Sequence, residues 1–189
     1  MVDTLNTSLI SSSDYIKMAG ALTKQMGMDA EAIFSSGTLQ EATELVELMG
    51  LSADEAGRLA IFSKASGKEL DESTQAVFKQ VANFNKVNRT AISGKAVLQD
   101  IAKVSDTIAL NFGFDSVKIA EAATNARKFG LELGQVDKIA DSLLDFESSI
   151  TNELSAELLT GKQFNLERAR TLALNNDING LTKEDRKST

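Results

Sequence analysis

The sequence predicts an all-α fold, a multi-helix array or bundle of antiparallel helical hairpins joined by short Gly-containing turns. The 189 residues include no proline, although an average usage of about 5% would give roughly nine. Because proline disrupts a helix interior, its absence is typical of a chain that is helical nearly throughout. Capping residues and glycines recur where helices of ordinary length would start and stop. No stretch alternates apolar and polar residues over the length of a strand.

Polar residues without periodicity open the chain, so residues 1–12 are expected to be a disordered N-terminus. A helical domain is expected over residues 13–180, with four helices in its first part. Each predicted start has a side chain that can accept hydrogen bonds from the free N–H groups of a first helical turn. These starts are Ser13 with Asp14, the capping-box pairs Thr38/Glu41 and Ser52/Glu55, and Asp71 or Ser73, and the first three helices are predicted to stop at Gly27, Gly50 and Gly67.

Apolar residues at helical spacing predict the buried side of these and later helices. The third and fourth helices are predicted to bury Ala56, Leu59, Ala60 and Phe62, and then Val77, Val81, Phe84 and Val87. Ser93 starts a further helix, which is predicted to run unbroken to Gly113 because its apolar residues keep to one face. These residues are Val97, Ile101, Val104, Ile108 and Phe112.

In the second half of the domain, helices are again predicted to start at capping residues and to end at glycines. Asp115 is predicted to cap a helix that runs to Phe129 and is closed by Gly130. One long helix is predicted next, ending at Gly161, with a stripe of Val136, Ile139, Leu143, Phe146, Ile150, Leu154 and Leu158. A short helix from Leu166 to Leu174, capped by Asn165, completes the domain, and the polar residues after Asn175 predict a loose C-terminus over 181–189.

An internal repeat is suggested by matching residues at an offset of 63. Gly50-Leu51-Ser52 corresponds to Gly113-Phe114-Asp115, and Gly67, Glu69 and Leu70 correspond to Gly130, Glu132 and Leu133. The possible repeat units are therefore 50–112 and 113–175. Chance recurrence of helix-turn-helix punctuation is the alternative, and a true duplication would favour a repetitive scaffold over a catalytic pocket.

Composition disfavours enzymatic chemistry and contact with nucleic acid. The chain has no cysteine and no histidine, so it lacks the thiolate nucleophile, the usual proton shuttle at neutral pH and the commonest metal ligands. Its net charge of −7 is expected to repel nucleic-acid phosphates and anionic membranes. No apolar run approaches the roughly 18 residues of a membrane helix, so no membrane contact is expected from this segment.

Each short motif with possible chemistry has a simpler explanation, so we predict no catalytic, cofactor-binding or metal-binding residues. Leu159-Thr160-Gly161-Lys162 lacks the first Gly and the Ser/Thr of a phosphate-binding loop and is better explained as a helix end. The carboxylate pairs Glu41/Glu44 and Asp71/Glu72 are expected to be solvated. Asn175 to Gly180 has no far-end Glu for calcium. Lys162, Arg168 and Arg170 form a basic cluster, balanced by Glu157 and Glu167, that we expect on a solvated face.

The stretches from Ile139 to Ile150, from Glu153 to Lys162 and from Asn165 to Leu174, together with Met49 to Ala56 and Gly67, resemble tail tape-measure proteins of tailed bacteriophages. The resemblance covers about residues 24–180. It implies an elongated helical protein in the lumen of the tail tube, assembled in the host cytoplasm, that sets tail length. Self-association and contact with tail-tube, baseplate or tail-assembly chaperone proteins are also implied. Family members are usually several times longer, so a fragment or module is expected.

The alternative function is a helical protein-interaction module, such as a scaffold or a chaperone-like protein, without catalytic activity. It differs from the first hypothesis in predicting a compact monomer or dimer that binds a protein partner independently of a tail. An enzyme that uses carboxylates or lysine is the least favoured class, because no pair of such residues has the spacing of a known acid–base or metal site.

Overall fold

The computed structural model describes residues 12–26, 36–175 and 177–184. Over these ranges the chain forms eleven α-helices and no strand, so the all-α prediction is confirmed. The predicted N-terminal segment up to residue 11 and the predicted stop at Gly27 lie outside the described residues. The helices are α1 (Ser12–Met26), α2 (Ser36–Glu47), α3 (Ala53–Ser66), α4 (Leu70–Asn88), α5 (Gly94–Lys103), α6 (Asp106–Asn111), α7 (Ser116–Lys128), α8 (Leu133–Leu144), α9 (Phe146–Thr160), α10 (Glu167–Leu174) and α11 (Ile178–Glu184).

Helix α7 is the centre of the fold. It packs against α3, α4, α5, α8 and α11, and this many neighbours can approach because its buried side chains are small. Four alanines of this helix, Ala120, Ala122, Ala123 and Ala126, have no exposed surface, and Ile119 is also fully buried. Close packing on several sides leaves little room for a longer side chain there.

Helices α1, α2 and α3 pack on one another at one end of the core, and α8, α10 and α11 do so at the other. Phe62 of α3 is fully buried, and its ring lies 5.6 Å from that of Phe114. The predicted core residues of α3 are all buried, as are Val77 and Val81 of α4. Phe84 is half-buried and Val87 is 80% exposed, so the predicted apolar side of α4 leaves the core towards its C-terminal end.

The prediction of one unbroken helix from Ser93 to Gly113 is wrong, because the backbone breaks between α5 and α6. Val104 has an extended conformation, and Ser105 caps α6 by accepting a hydrogen bond from the Ile108 N–H. Arg58 of α3 donates to the freed Ala102 and Val104 carbonyls and pairs with Asp106 at 2.7 Å. The guanidinium of Arg58 therefore supplies hydrogen bonds to carbonyls that have no partner within the broken segment. Ser93 does cap α5 as predicted.

The predicted long helix ending at Gly161 is also two helices, α8 and α9. Asp145 separates them and caps α9 through the Ser148 N–H. The apolar stripe is correspondingly divided: Val136 and Leu143 of α8 are buried and Ile139 is half-buried, whereas all four stripe residues of α9 are exposed. Gly161 ends α9 in the left-handed conformation, as predicted.

Of the other predicted helix starts, some agree with the structure and the rest lie a few residues inside the observed helices. The Ser52/Glu55 capping box and the Asp115 cap are confirmed. Helix α1 begins at Ser12, α2 begins at Ser36 and α4 begins at Leu70 after Glu69, so Ser13/Asp14, Thr38, Asp71 and Ser73 lie inside helices and do not start them.

Of the predicted loose C-terminus over 181–189, the described residues 181–184 belong instead to a helix, α11. Asp177 accepts a hydrogen bond from the Gly180 N–H at the start of α11. Ile178 and Leu181 of this helix are buried and join the core, where α11 packs against α7, α8 and α10. Two apolar residues in a polar segment were too few to indicate this packing from the sequence.

The matched residues of the possible repeat occupy equivalent turns. Lys68 donates its N–H to Ser63 O, and 63 residues later Leu131 donates to Ala126 O. Gly67 and Gly130 have left-handed φ values of 73° and 80°, which these helix-ending turns require. The turns that join α3 to α4 and α7 to α8 therefore have the same hydrogen bond and the same left-handed glycine. Duplication itself remains a hypothesis.

Candidate functional site

The most exposed apolar surface of the described chain is on α9. Phe146, Ile150, Leu154 and Leu158 follow one another at four-residue spacing, which places them along one side of the helix. Their exposure rises along the helix to 86% at Leu158, and the adjacent Leu159 is 87% exposed. Only Ser149 of this helix is buried. A row of apolar side chains of this length is typical of a surface that a partner covers.

The side of α9 next to this apolar row is held to the fold by polar contacts. Arg170 of α10 donates its Nε–H to Ser149 at 3.0 Å and pairs with Glu153. The other oxygen of Glu153 accepts the Leu166 N–H, and Glu157 accepts the Phe164 N–H. Burial opposes the charged form of Glu153, but the Leu166 N–H and Arg170 outweigh it and lower the pKa of this carboxyl. Helix α9 is therefore anchored along one side, with the exposed apolar row beside it.

The predicted basic cluster is not a single exposed patch. The prediction of a solvated face is wrong for Arg170, because this residue is buried. Its guanidinium forms an ion pair with Glu153. Arg168 is exposed and pairs with Glu184 at 3.2 Å, while Lys162 is exposed on the turn after α9. Asn165 does help to start α10, because its side chain accepts the Glu167 N–H.

The predicted carboxylate pairs come together in one groove between α2 and α4. Glu41, Glu44 and Asp71 line it, whereas Glu72 is exposed and does not. Its other walls are mainly apolar, and the groove has a volume of about 220 Å³. Burial, followed by repulsion from Asp71, Glu69 and Glu44, raises the pKa of Glu41 despite a hydrogen bond from the Asp71 N–H. We call this feature the acidic groove; its lining residues are Glu41, Glu44, Leu45, Leu48, Met49, Leu70, Asp71, Thr74, Gln75 and Phe78.

Sequence reasoning missed a buried ion pair beside α7. Asp100 of α5 is only 4% exposed, and its two oxygens accept from Arg127 at 2.6 and 2.9 Å. Arg127 also donates to the Ala96 carbonyl. Burial raises the pKa of Asp100 even though Arg127 favours its charged form. The pair joins residues 27 positions apart, and no local pattern indicates it. Arg127 Nε and Nη2 and both Asp100 oxygens are used within the protein, so the arrangement is that of a structural pair.

The glycines and capping residues of the remaining segments have structural roles. Gly67 and Gly161 end helices, Ser93 starts one, and Asp177 of the calcium-like segment caps α11. Within the described ranges, no group of three or more acidic side chains is arranged to hold a metal ion. None of the described helices is both long and apolar enough to cross a bilayer.

The fold and its surfaces thus define a class, a helical protein with a packed core and one helix that presents an apolar side to solvent. Comparisons with protein-family models, curated proteins and solved structures found no match for this chain.

Proposed function

We propose that this chain is a segment of a phage tail tape-measure protein, a structural protein that acts in tail assembly and tail-length determination. The bare apolar side of α9 carries the proposal, because a helix of this kind works by packing against another helix. Its stripe lies in residues 139–174, the part of the sequence that most resembles the family. The proposed contact is a second copy of the chain within the tail-tube lumen.

Self-association through α9 is tested by removing its apolar side chains where they are most exposed. We expect the wild-type chain to form multimers at micromolar concentration and the Leu154→Ser/Leu158→Ser variant to be monomeric, because both side chains contribute to the stripe and neither supports the core. Size-exclusion chromatography with light scattering gives the mass. Val87→Ser/Leu110→Ser is the matched control, since these side chains are equally exposed on other helices. A monomeric wild type would contradict the proposed contact.

The place in the tail is tested separately. Mass spectrometry of purified tails should detect peptides of this chain, and in-frame removal of its coding sequence should shorten the tail. One continuous helix of this length would span about 280 Å at ~1.5 Å per residue, and the helix-ending glycines make the expected shortening smaller than that. Absence of these peptides from wild-type tails would contradict the tape-measure role. Tails of unchanged length after the removal would contradict it as well.

A helical interaction module is the second candidate, and the core around α7 favours it. Helices from both halves of the chain pack on α7, which is the arrangement of a folded module more than of an extended rod. This candidate predicts a compact protein that binds one partner, with tails of normal length in its absence.

A further inference from the structure

The acidic groove between α2 and α4 combines apolar walls with carboxylates. Leu70 at its base is buried, Phe78 is half-buried, and Leu48 at its edge is 66% exposed. Glu41 and Glu44 stand on one side and Asp71 on the other. The apolar walls offer a place for an aliphatic or aromatic side chain, and the carboxylates lie within the same opening.

Within the described residues, the three carboxylates that line the groove accept hydrogen bonds from neutral donors. Glu41 accepts the Asp71 N–H at 3.1 Å, Glu44 accepts from Gln40 at 3.3 Å, and Asp71 accepts from Gln75 at 2.7 Å. No lysine or arginine in the described part of the chain forms an ion pair with any of the three. Glu69 adds a fourth negative charge close enough to act on Glu41.

Four carboxylates elsewhere in the described chain are each paired with a lysine or arginine. Glu55 pairs with Lys103, Asp115 with Lys68, Asp100 with Arg127, and Glu153 with Arg170. Against this background the groove has negative charge that the described chain does not neutralise, beside apolar surface that it does not cover. Both features are complementary to a ligand with a positive charge and an apolar group.

We infer that the acidic groove binds a basic amphipathic segment of a partner protein, with an apolar side chain inserted between Leu48 and Phe78 and lysine or arginine paired with Glu41, Glu44 and Asp71. The groove lies between two helices and is open along Leu48, which suits a segment of a longer chain. A second copy of this chain is a poorer occupant, because its net charge of −7 brings like charge. The inference does not rest on the proposed tail function.

The probe is a fluorescent 16-residue peptide designed as a helix with leucine on one side and lysine on the other, and its counterpart has glutamate in place of lysine. We expect the lysine peptide to bind wild type and to bind Glu41→Gln/Glu44→Gln at least about tenfold more weakly, since two charge pairs are lost while the shape is kept. Leu48→Ser should weaken binding as well. Fluorescence anisotropy gives the affinity, and amide shifts in NMR spectra give the location.

The matched control is Asp141→Asn/Glu147→Gln, which removes the same charge from exposed positions outside the groove. Its affinity for the lysine peptide should stay within about twofold of wild type. Equal weakening in both double variants, equal binding of the glutamate peptide, or amide shifts on α9 in place of 41–49 and 70–78 would each overturn the inference. None of these outcomes depends on whether the protein is found in a tail.

Discussion

Gly94 illustrates how a single side chain fixes the approach of two helices. The ring of Phe78 in α4 lies against Gly94 at the start of α5, in the space that a Cβ would occupy. Gly94→Ala is therefore expected to destabilise the protein by about 1–3 kcal/mol, because the ring must move in a packed region. Urea unfolding followed by circular dichroism measures the change.

Gly134→Ala is the matched control for this substitution. Gly134 also lies in the first turn of a helix, α8, but nothing stands within 4 Å of an added Cβ. The alanine should leave stability unchanged or raise it by about 0.5–1 kcal/mol, because it restricts the unfolded chain. Equal effects of the two substitutions would show that Phe78 does not constrain Gly94.

The Asp100–Arg127 pair is expected to be far more sensitive to substitution than a surface pair. Asp100→Asn should lower the free energy of unfolding by about 1.5–3 kcal/mol, because charge-assisted hydrogen bonds between the buried Asp100 and the partly exposed Arg127 are lost. Asp106→Asn is the comparison, since Asp106 pairs with Arg58 but is 83% exposed. It should cost at most about 1 kcal/mol. Similar losses in chemical denaturation would show that burial does not distinguish the pairs.

Residue-level predictions from the sequence succeeded where the deciding contact is local. Asp115 caps α7 through N–H groups two and three residues ahead, and this relation can be read from the sequence. Arg170 was assigned to a solvated face because its neighbours are charged, but Glu153, on a different helix, determines its burial. Such a partner becomes visible only after folding.

At the scale of helices, the capping box of α3 is the clearest sequence signal. Ser52 accepts the Glu55 N–H and Glu55 accepts the Ser52 N–H, at 3.1 and 3.0 Å. Ser52→Ala should destabilise the protein by about 1 kcal/mol. Thermal unfolding compared with Ser155→Ala, whose hydroxyl only bonds back to Thr151 within α9, tests this. A loss no greater than that of the control would mean that solvent replaces the cap.

The helix break at Val104 could not be predicted from its own segment. The stripe from Val97 to Phe112 satisfies a helical period, and the stripe residues are in fact buried or half-buried. The break becomes favourable because Arg58, more than 40 residues earlier in the chain, donates hydrogen bonds to the freed carbonyls. The same limitation explains the division at Asp145. The apolar periodicity continues past this residue, but the apolar side chains after it are exposed instead of buried.

For the whole molecule, acid stability depends on carboxylates whose pKa differs between the folded and unfolded states. Burial of Asp115 is outweighed by the Val117 and Lys118 N–H groups and Lys68, which lower its pKa below 3.8. A carboxyl with a lowered folded pKa stabilises the fold above its unfolded pKa, and this contribution is lost as pH falls through the folded value. The charge of Asp115 should therefore stabilise the fold at neutral pH and should not do so in acid.

Asp115→Asn tests this sign, because asparagine still caps a helix but cannot pair with Lys68. The variant should be less stable than wild type at about pH 7, and the difference should shrink as the pH falls below the unfolded pKa of about 3.9. Urea unfolding across this pH range measures it. Asp141→Asn removes an exposed charge without a helix start to cap and should show no such convergence. A constant difference at all pH values would contradict the assignment.

The separation of α9 from the core has a consequence for local opening. Detaching this helix would uncover almost no apolar core, since Ser149 is its only buried residue and polar contacts to α10 hold it. Its amides are thus expected to exchange with deuterium by a low-energy opening, while those of α7 exchange only when the whole chain unfolds. A partner can then reorient α9 at small energetic cost and leave the remaining helices intact.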